Sequence, residues 1–427
     1  MQRADFLLRD IGELLTMAGP LRSRRGHDAG RLSVVRDAAV AALDGRIVWT
    51  GRSEEADAAV EPVDDGFRSF DAGGRVVTPG LVDSHTHPVF GATRQEEFAM
   101  RAAGADYEEI ARSGGGILNS VRRTRETSSE TMESMMLSHL SSMLRHGTTT
   151  LEAKSGYGLD LDTEIRMLEV IGNAAARVPQ TVVSTFLGAH EIPAEYRDEP
   201  MAYVDFIIEE VLPVVRDSGL ARFVDVFCEK GVFTPAQSRK VLEAAAEMGF
   251  GLRMHADEFH DTGGAELAAE LGAASADHLL SVSDSGVRAL AGSETVATLL
   301  PGTALFLNKP FPDARRLIDA GAAVALATDF NPGSCYCESM PFMVNLGVCQ
   351  CGMTVEEAMV AATVNGAAAL GLLETKGTVQ PGRDADMILW NVDDYRSIAY
   401  HLAVDDIDTV FTGARVAARA GASGDTS

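Results

Sequence analysis

The stretch Val76-Val77-Thr78-Pro79-Gly80-Leu81-Val82-Asp83-Ser84-His85-Thr86-His87-Pro88 decides how the chain is read. An apolar, β-branched run of this length reads as a buried strand, and it exits into His-x-His. Side chains on a strand repeat every two residues, so His85 and His87 point the same way. Two imidazoles on one face at a strand exit are half of a metal site, although two histidines sharing a polar loop give the same local pattern. The rest of the chain separates these readings.

Seven further strand-like runs follow: Thr148–Lys154, Thr181–His190, Ala221–Lys230, Phe250–Asp257, Ala274–Leu279, Thr295–Leu300 and Ala322–Asp329. With Val76–Ser84 they make eight, the number a (β/α)8 TIM-like barrel requires. Helical patterns with start and stop signals fill the gaps. Thr127 and Glu130 read as a capping box before Met132, Met135, Met136, Leu140 and Met143, a helical stripe that reads as core and runs to Gly147. Thr234-Pro235-x-Gln237 opens another helix that stops at Gly249, and Thr354-x-x-Glu357 opens the last long one, through Ala368. The ends differ. Short strand-like runs (Ala38–Leu43, Arg46–Thr50) lie before residue 75, and Met387-Ile388-Leu389-Trp390 lies after Lys376. The expected architecture is an α/β chain with a barrel over 76–372, flanked by 1–75 and 373–427, which pair into one small β-sandwich domain. The small polar residues Ala420–Ser427 read as a frayed end.

Length and composition bound the function. A chain of 427 residues with 46% apolar content suits a globular enzyme, and a formal charge of −25 argues against nucleic acid as a partner. The same charge repels an anionic substrate at long range, so such a substrate needs a local cation. No run reaches the ~18 apolar residues of a membrane span, and the charged start Met1–Asp10 has no signal core, which predicts a cytoplasmic protein. Cys335-x-Cys337 and Cys349-x-Cys351 are spaced too tightly for the usual zinc pairs and read as small buried thiols.

In a barrel, chemistry collects where the strands end. His85 and His87 end the first strand, His190 the third and His255 the fifth, with Glu258 just beyond. His278 lies near the end of the sixth and Asp329 ends the eighth. His85, His87, His255 and Asp329 suit a divalent transition metal such as zinc or iron(II), which activates water for hydrolysis or hydrolytic deamination. Asp329 can also accept a proton, Glu258 can serve as general base, and His278 can orient the attacked oxygen or stabilise charge on it. No role is assigned to His27, His139, His146, His260 or His401, and His139 reads as a surface or satisfied core residue.

Several motifs extend the reading. His85-Thr86-His87-Pro88-Val89-Phe90-Gly91 continues to Arg94, and Arg112-Ser113-Gly114-Gly115-Gly116-Ile117 follows. Then come Glu152-Ala153-Lys154-Ser155-Gly156-Tyr157-Gly158-Leu159, Phe186-Leu187-Gly188-Ala189-His190 and Asp329-Phe330-Asn331-Pro332-Gly333-Ser334. Flanked by Gly74–Gly80 and Gly382-Arg383-Asp384-Ala385-Asp386, this set resembles the amidohydrolase superfamily and, within it, the imidazolonepropionase family of ring-opening hydrolases. The resemblance implies metal ligands at His85, His87, His255 and Asp329. It implies substrate contacts at Arg94, Tyr157, His190, Glu258, Asn331, Gly333 and Ser334. It further implies one divalent metal ion per chain, zinc or iron, a homodimer, and 4-imidazolone-5-propanoate as a small anionic substrate whose carboxylate Arg94 would hold. The family pattern accepts glutamine at Glu258, which cannot act as a base, so the base remains open between Glu258 and Asp329. Within that motif Lys154 reads as an ordinary lysine and not as a carbamylated bridge between two metals. Ser113–Gly116 lacks the Gly-Lys-Ser/Thr of a phosphate cradle and reads as a mobile cover. Competing readings are a deaminase or dihydropyrimidinase-like enzyme on the same scaffold, or a non-catalytic barrel that kept the fold.

Overall fold

The computed structural model describes residues 1–63, 66–104, 115–404 and 406–420. Its centre is a parallel eight-stranded sheet whose neighbours follow chain order. The strands are β1 (Leu81–Asp83), β2 (Thr148–Lys154), β3 (Thr181–Ala189), β4 (Phe223–Cys228), β5 (Gly251–Ala256), β6 (Ser275–His278), β7 (Val296–Leu299) and β8 (Val324–Leu326). The barrel closes beyond the end of β8. Asp329 N donates to His85 O (3.0 Å) and His87 N to Phe330 O (2.8 Å), with Thr86 bridged to Phe330. Strands one and eight therefore meet at the level of the candidate ligands.

The expected strand Val76–Ser84 is two strands. Val76–Pro79 pairs with Met387–Trp390 and with the end of Phe6–Leu15, whereas only Leu81–Asp83 joins the barrel. Gly80 sits at the break because a Cβ there would lie 2.1 Å from Thr149 Oγ1. The chain ends build one mixed eight-stranded sheet, with a two-stranded ribbon of Gln2–Ala4 and Val60–Pro62 against its other face. On the face away from that ribbon, Phe6, Phe70 and Phe411 pack with ring centroids 5.4–5.5 Å apart. Lys376 Nζ pairs with Asp386 (2.6 Å) and Asp384 (2.9 Å), and Asp386 O accepts from Gly80 N (2.9 Å). The Gly382–Asp386 motif thus ties the terminal sheet to the barrel's first strand.

Helices cover the barrel. Ser129–Arg145 turns Met132, Met136, Leu140 and Met143 into the core, each fully buried, worth about 1.5–3 kcal/mol apiece. Its cap is Ser128, whose Oγ accepts from Thr131 N, and not the expected Thr127–Glu130 box. Thr127 instead closes the preceding helix, donating its hydroxyl to Arg123 O (2.7 Å). The capping boxes at Thr234–Gln237 and Thr354–Glu357 form as the spacing predicts. No helix among the described residues is long and apolar enough to cross a membrane. His139 is a satisfied core residue, its Nδ1 3.1 Å from Pro88 O. Cys335 and Cys351 are buried, but Cys349 is exposed, against the expectation of buried thiols. No cysteine joins a group fit to hold a metal among the described residues. The expected cover at Ser113–Gly116 falls partly outside the described residues, as does the end beyond residue 420.

Candidate active site

Strand periodicity and register assemble the site from the inside of the barrel outward. Parallel pairing sets Asp225 beside Arg253, and Phe227, His255 and Asp277 in one row across β4, β5 and β6. Side chains at period two then enter the barrel in layers. The upper layer holds His85, His87, His255, His278 and Asp329, each no more than 2% exposed. His85 Nε2 and His87 Nε2 lie 3.3 Å apart, and Asp329 Oδ1 is 3.6 Å from both. Two nitrogens on one tetrahedral ion at about 2.0–2.1 Å would be roughly 3.3–3.4 Å apart. The spacing is that of a shared cation. His255 completes a group with His85 and His87, and its Nε2 has no hydrogen-bond partner among the described residues. Buried imidazole nitrogens facing one another without donors fit a divalent ion, and a second group joins His85, His278 and Asp329.

Below lies a fully buried charged layer that reading strand exits alone did not find. Asp277 Oδ2 is 2.7 Å from His85 Nδ1 and Asp225 Oδ2 is 3.0 Å from His255 Nδ1. The contact with Asp277 places the His85 proton on Nδ1 and leaves Nε2 as the metal-facing lone pair. Lys154 Nζ donates to Asp225 (2.6 Å) and pairs with Glu152 (2.8 Å); Arg253 pairs with Glu152 (2.8 Å) and Asp277 (3.2 Å). Burial opposes the charge on Asp225, yet His255 and Lys154 hold it ionised well below the ordinary carboxylate range. Two carboxylates engage the Lys154 amine, consistent with its reading as an unmodified lysine. A signal was present in the sequence: charges at period two within apolar strands, as in Glu152-x-Lys154 and Arg253-x-His255.

Burial sets the protonation of the mouth. It lowers His85, His87 and His278 well below the ordinary histidine value, and it lowers His190 to about 3 with help from His255. Burial raises Asp329 to about 6, while Thr303 Oγ1, donating at 2.5 Å, opposes the rise. Glu258 is pushed well above the carboxylate range by burial and by the nearby Asp329 and Glu229, and its Oε2 lies 3.6 Å from His278 Nε2. Asp329 (φ 51°) and His278 (φ 79°) both hold left-handed backbone, which costs non-glycine residues about 1–3 kcal/mol each. Such strain is retained where surrounding structure holds a side chain in a required place.

These groups floor a cavity of about 790 Å³. Every expected substrate contact lines it: Arg94, Tyr157, His190, Glu258, Asn331, Gly333 and Ser334. His190 stacks on His87 at 5.1 Å and its Nδ1 is 3.0 Å from Gly156 O, so Nε2 remains for a ligand. Asn331 Oδ1 accepts from Gly333 N (2.8 Å) and Ser334 N (2.7 Å), which shapes that loop. A Cβ at Gly333 would lie 2.0 Å from Arg94 Nη1, so glycine is required for the guanidinium to pack there. His260, given no role from sequence, stands at the cavity mouth against Glu229, its Nδ1 2.9 Å from Oε1.

Comparison with known proteins agrees with this geometry. The model of the amidohydrolase family matches residues 76–417. An imidazolonepropionase of Symbiobacterium thermophilum is 48% identical, covering 97% of this chain and 98% of that protein. That of Parabacteroides distasonis is 46% identical over 96% and 98%. Among solved structures, a Xanthomonas campestris adenosine deaminase with bound zinc has a TM-score of 0.70 at 18% identity, covering 97% of this chain and 93% of that one. Escherichia coli guanine deaminase has a TM-score of 0.70 at 16% identity, covering 97% and 99%. The deaminases share the fold, while the near full-length relatives share the sequence. The chain belongs to the amidohydrolase family and, within it, to the imidazolonepropionases.

Proposed function

We propose that this chain is a cytoplasmic, metal-dependent hydrolase that opens the ring of 4-imidazolone-5-propanoate to N-formimidoyl-L-glutamate. The observation that carries the reading is the convergence of His85, His87, His255 and Asp329, from the ends of three strands, with the His85 and His87 Nε2 atoms 3.3 Å apart. One zinc or iron(II) ion held by these four residues would supply a Lewis acid that brings the pKa of water from about 15.7 to about 7. The chain's own groups supply the rest. Asp329, shifted only to about 6, is largely ionised at neutral pH and takes the proton from the attacking water. The water oxygen bonds to the ring carbonyl carbon, and His278 faces the oxygen on which charge develops. The ring C–N bond then breaks, and its nitrogen receives the proton that Asp329 holds. Arg94, Tyr157 and His190 position the substrate, with Arg94 toward the propanoate.

Glu258 is raised above the ordinary carboxylate range by burial and its Oε2 faces His278 Nε2 at 3.6 Å, which favours a hydrogen-bonding role over that of the base. Glu258→Gln, which keeps a donor, should therefore retain activity within about tenfold, while Glu258→Ala should lose roughly 10²-fold or more. Steady-state kinetics on both variants checks this, and equal losses would return the base role to Glu258.

The reading itself is tested by incubating purified protein with imidazolonepropanoate and assigning the product by mass spectrometry, with elemental analysis of the same sample. N-formimidoylglutamate, about one metal per chain, and activity lost to a chelator and regained with zinc or iron(II) are expected. Release of ammonia, or an intact ring, would exclude it.

A further inference from the structure

We propose that Arg101 supplies the net positive charge that recognises the substrate carboxylate, making it the residue that selects an anionic over a neutral cyclic amide. This rests on the ring-opening reading above. Arg94, Glu97 and Arg101 fall at i, i+3 and i+7 along the helix Gln95–Ala102 and its N-cap, so they share one face. Arg94 spends two donors on Glu97 Oε2, from Nε at 2.9 Å and Nη2 at 2.6 Å. Glu97 is nearly buried and also accepts from Gly116 N (3.1 Å) and Asn119 Nδ2 (3.2 Å). Burial opposes its charge, but the Arg94 guanidinium and these donors keep it below the ordinary carboxylate range. Arg94 and Glu97 are together neutral. Such a pair can orient a carboxylate through the remaining Nη1, but it cannot offset its charge.

Arg101 can. Its Nη2 reaches Gly333 O (3.3 Å), its guanidinium lies over the Phe306 ring at 5.4 Å, and among the described residues no carboxylate pairs with it. Both guanidiniums converge on Gly333, the residue against which Arg94 Nη1 packs, and both line the cavity. The lysines of the wall, Lys230 and Lys309, are exposed, where solvent screens them. Besides its histidines and Glu97, the wall carries the carboxylates Glu191, Glu229, Glu258 and Asp329. In a chain of formal charge −25, a half-buried guanidinium on this wall that no carboxylate among the described residues pairs with is what an anionic substrate requires.

The test compares imidazolonepropanoate with its propanamide analogue, which keeps the ring and loses the charge, in wild type, Arg101→Gln and Arg101→Lys. Arg101→Gln should raise KM for the acid roughly 10- to 100-fold with kcat within about threefold, the mark of lost ground-state binding. KM for the amide should not change, and Arg101→Lys should recover part of the loss on the acid. An unchanged KM for the acid, or equal losses on both compounds, overturns the proposal. Wild-type protein that turns over neither compound overturns the ring-opening reading instead, and this inference with it.

Discussion

His255→Ala should yield a folded protein that holds no stoichiometric metal and loses ring opening by roughly 10³-fold or more, since Lewis-acid stabilisation is worth several kcal/mol. His255 enters from β5, between His85 (ring centroids 4.5 Å) and His278 (5.2 Å), and is the third imidazole of the group that includes His85 and His87. Removing it takes one of four ligands and the only one supplied by β5, which weakens the hold on the ion. The fold should survive because Asp225 keeps its ion pair with Lys154 (2.6 Å) when the imidazole is gone. Circular dichroism, elemental analysis and turnover on one preparation separate these outcomes. Full turnover in a metal-free variant would exclude the mechanism.

Lys154→Met should be the most damaging single change to stability, by about 3–5 kcal/mol. It strips Asp225 and Glu152 of a cation inside a layer where all three side chains are wholly buried. The Coulomb attraction of a buried pair only offsets the desolvation of its two charges, so losing one partner leaves the other's cost uncompensated. Three carboxylates would then face Arg253 alone. Because Asp225 also lies against His255, metal affinity should fall roughly 10- to 100-fold beside the loss of stability. Denaturant melts with and without zinc, read with a competing chelator, report both quantities. Lys240→Met, on the exposed ion pair with Asp205, is the control and should move stability little. A Lys154→Met protein as stable as wild type would show that the charged layer does not hold the barrel interior together.

The two predictions concern adjacent layers of one barrel, and they differ in how far the sequence reveals them. His85-x-His87 and the histidines at later strand exits were legible because strand periodicity is local and barrel chemistry collects where strands end. Capping at Thr234 and Thr354 was legible for the same reason, since a hydroxyl and its partner lie three residues apart. Ser128 competes with its neighbour Thr127 for one cap, and only the end of the preceding helix settles which residue takes it. The break at Gly80 was equally hidden, because it depends on Thr149, which packs where a Cβ would stand.

The sequence by itself determined the eight-strand α/β pattern, the pairing of the two chain ends and the candidate ligands, through spacings of two to four residues. Only the tertiary structure decided that Asp225, Glu152, Lys154, Arg253 and Asp277 form one buried layer, and that Arg101 stands beside Arg94 over Gly333. The physical reason is register. Which residue of one parallel strand faces which residue of the next is set by packing summed over the whole barrel, and no short stretch of chain carries that sum.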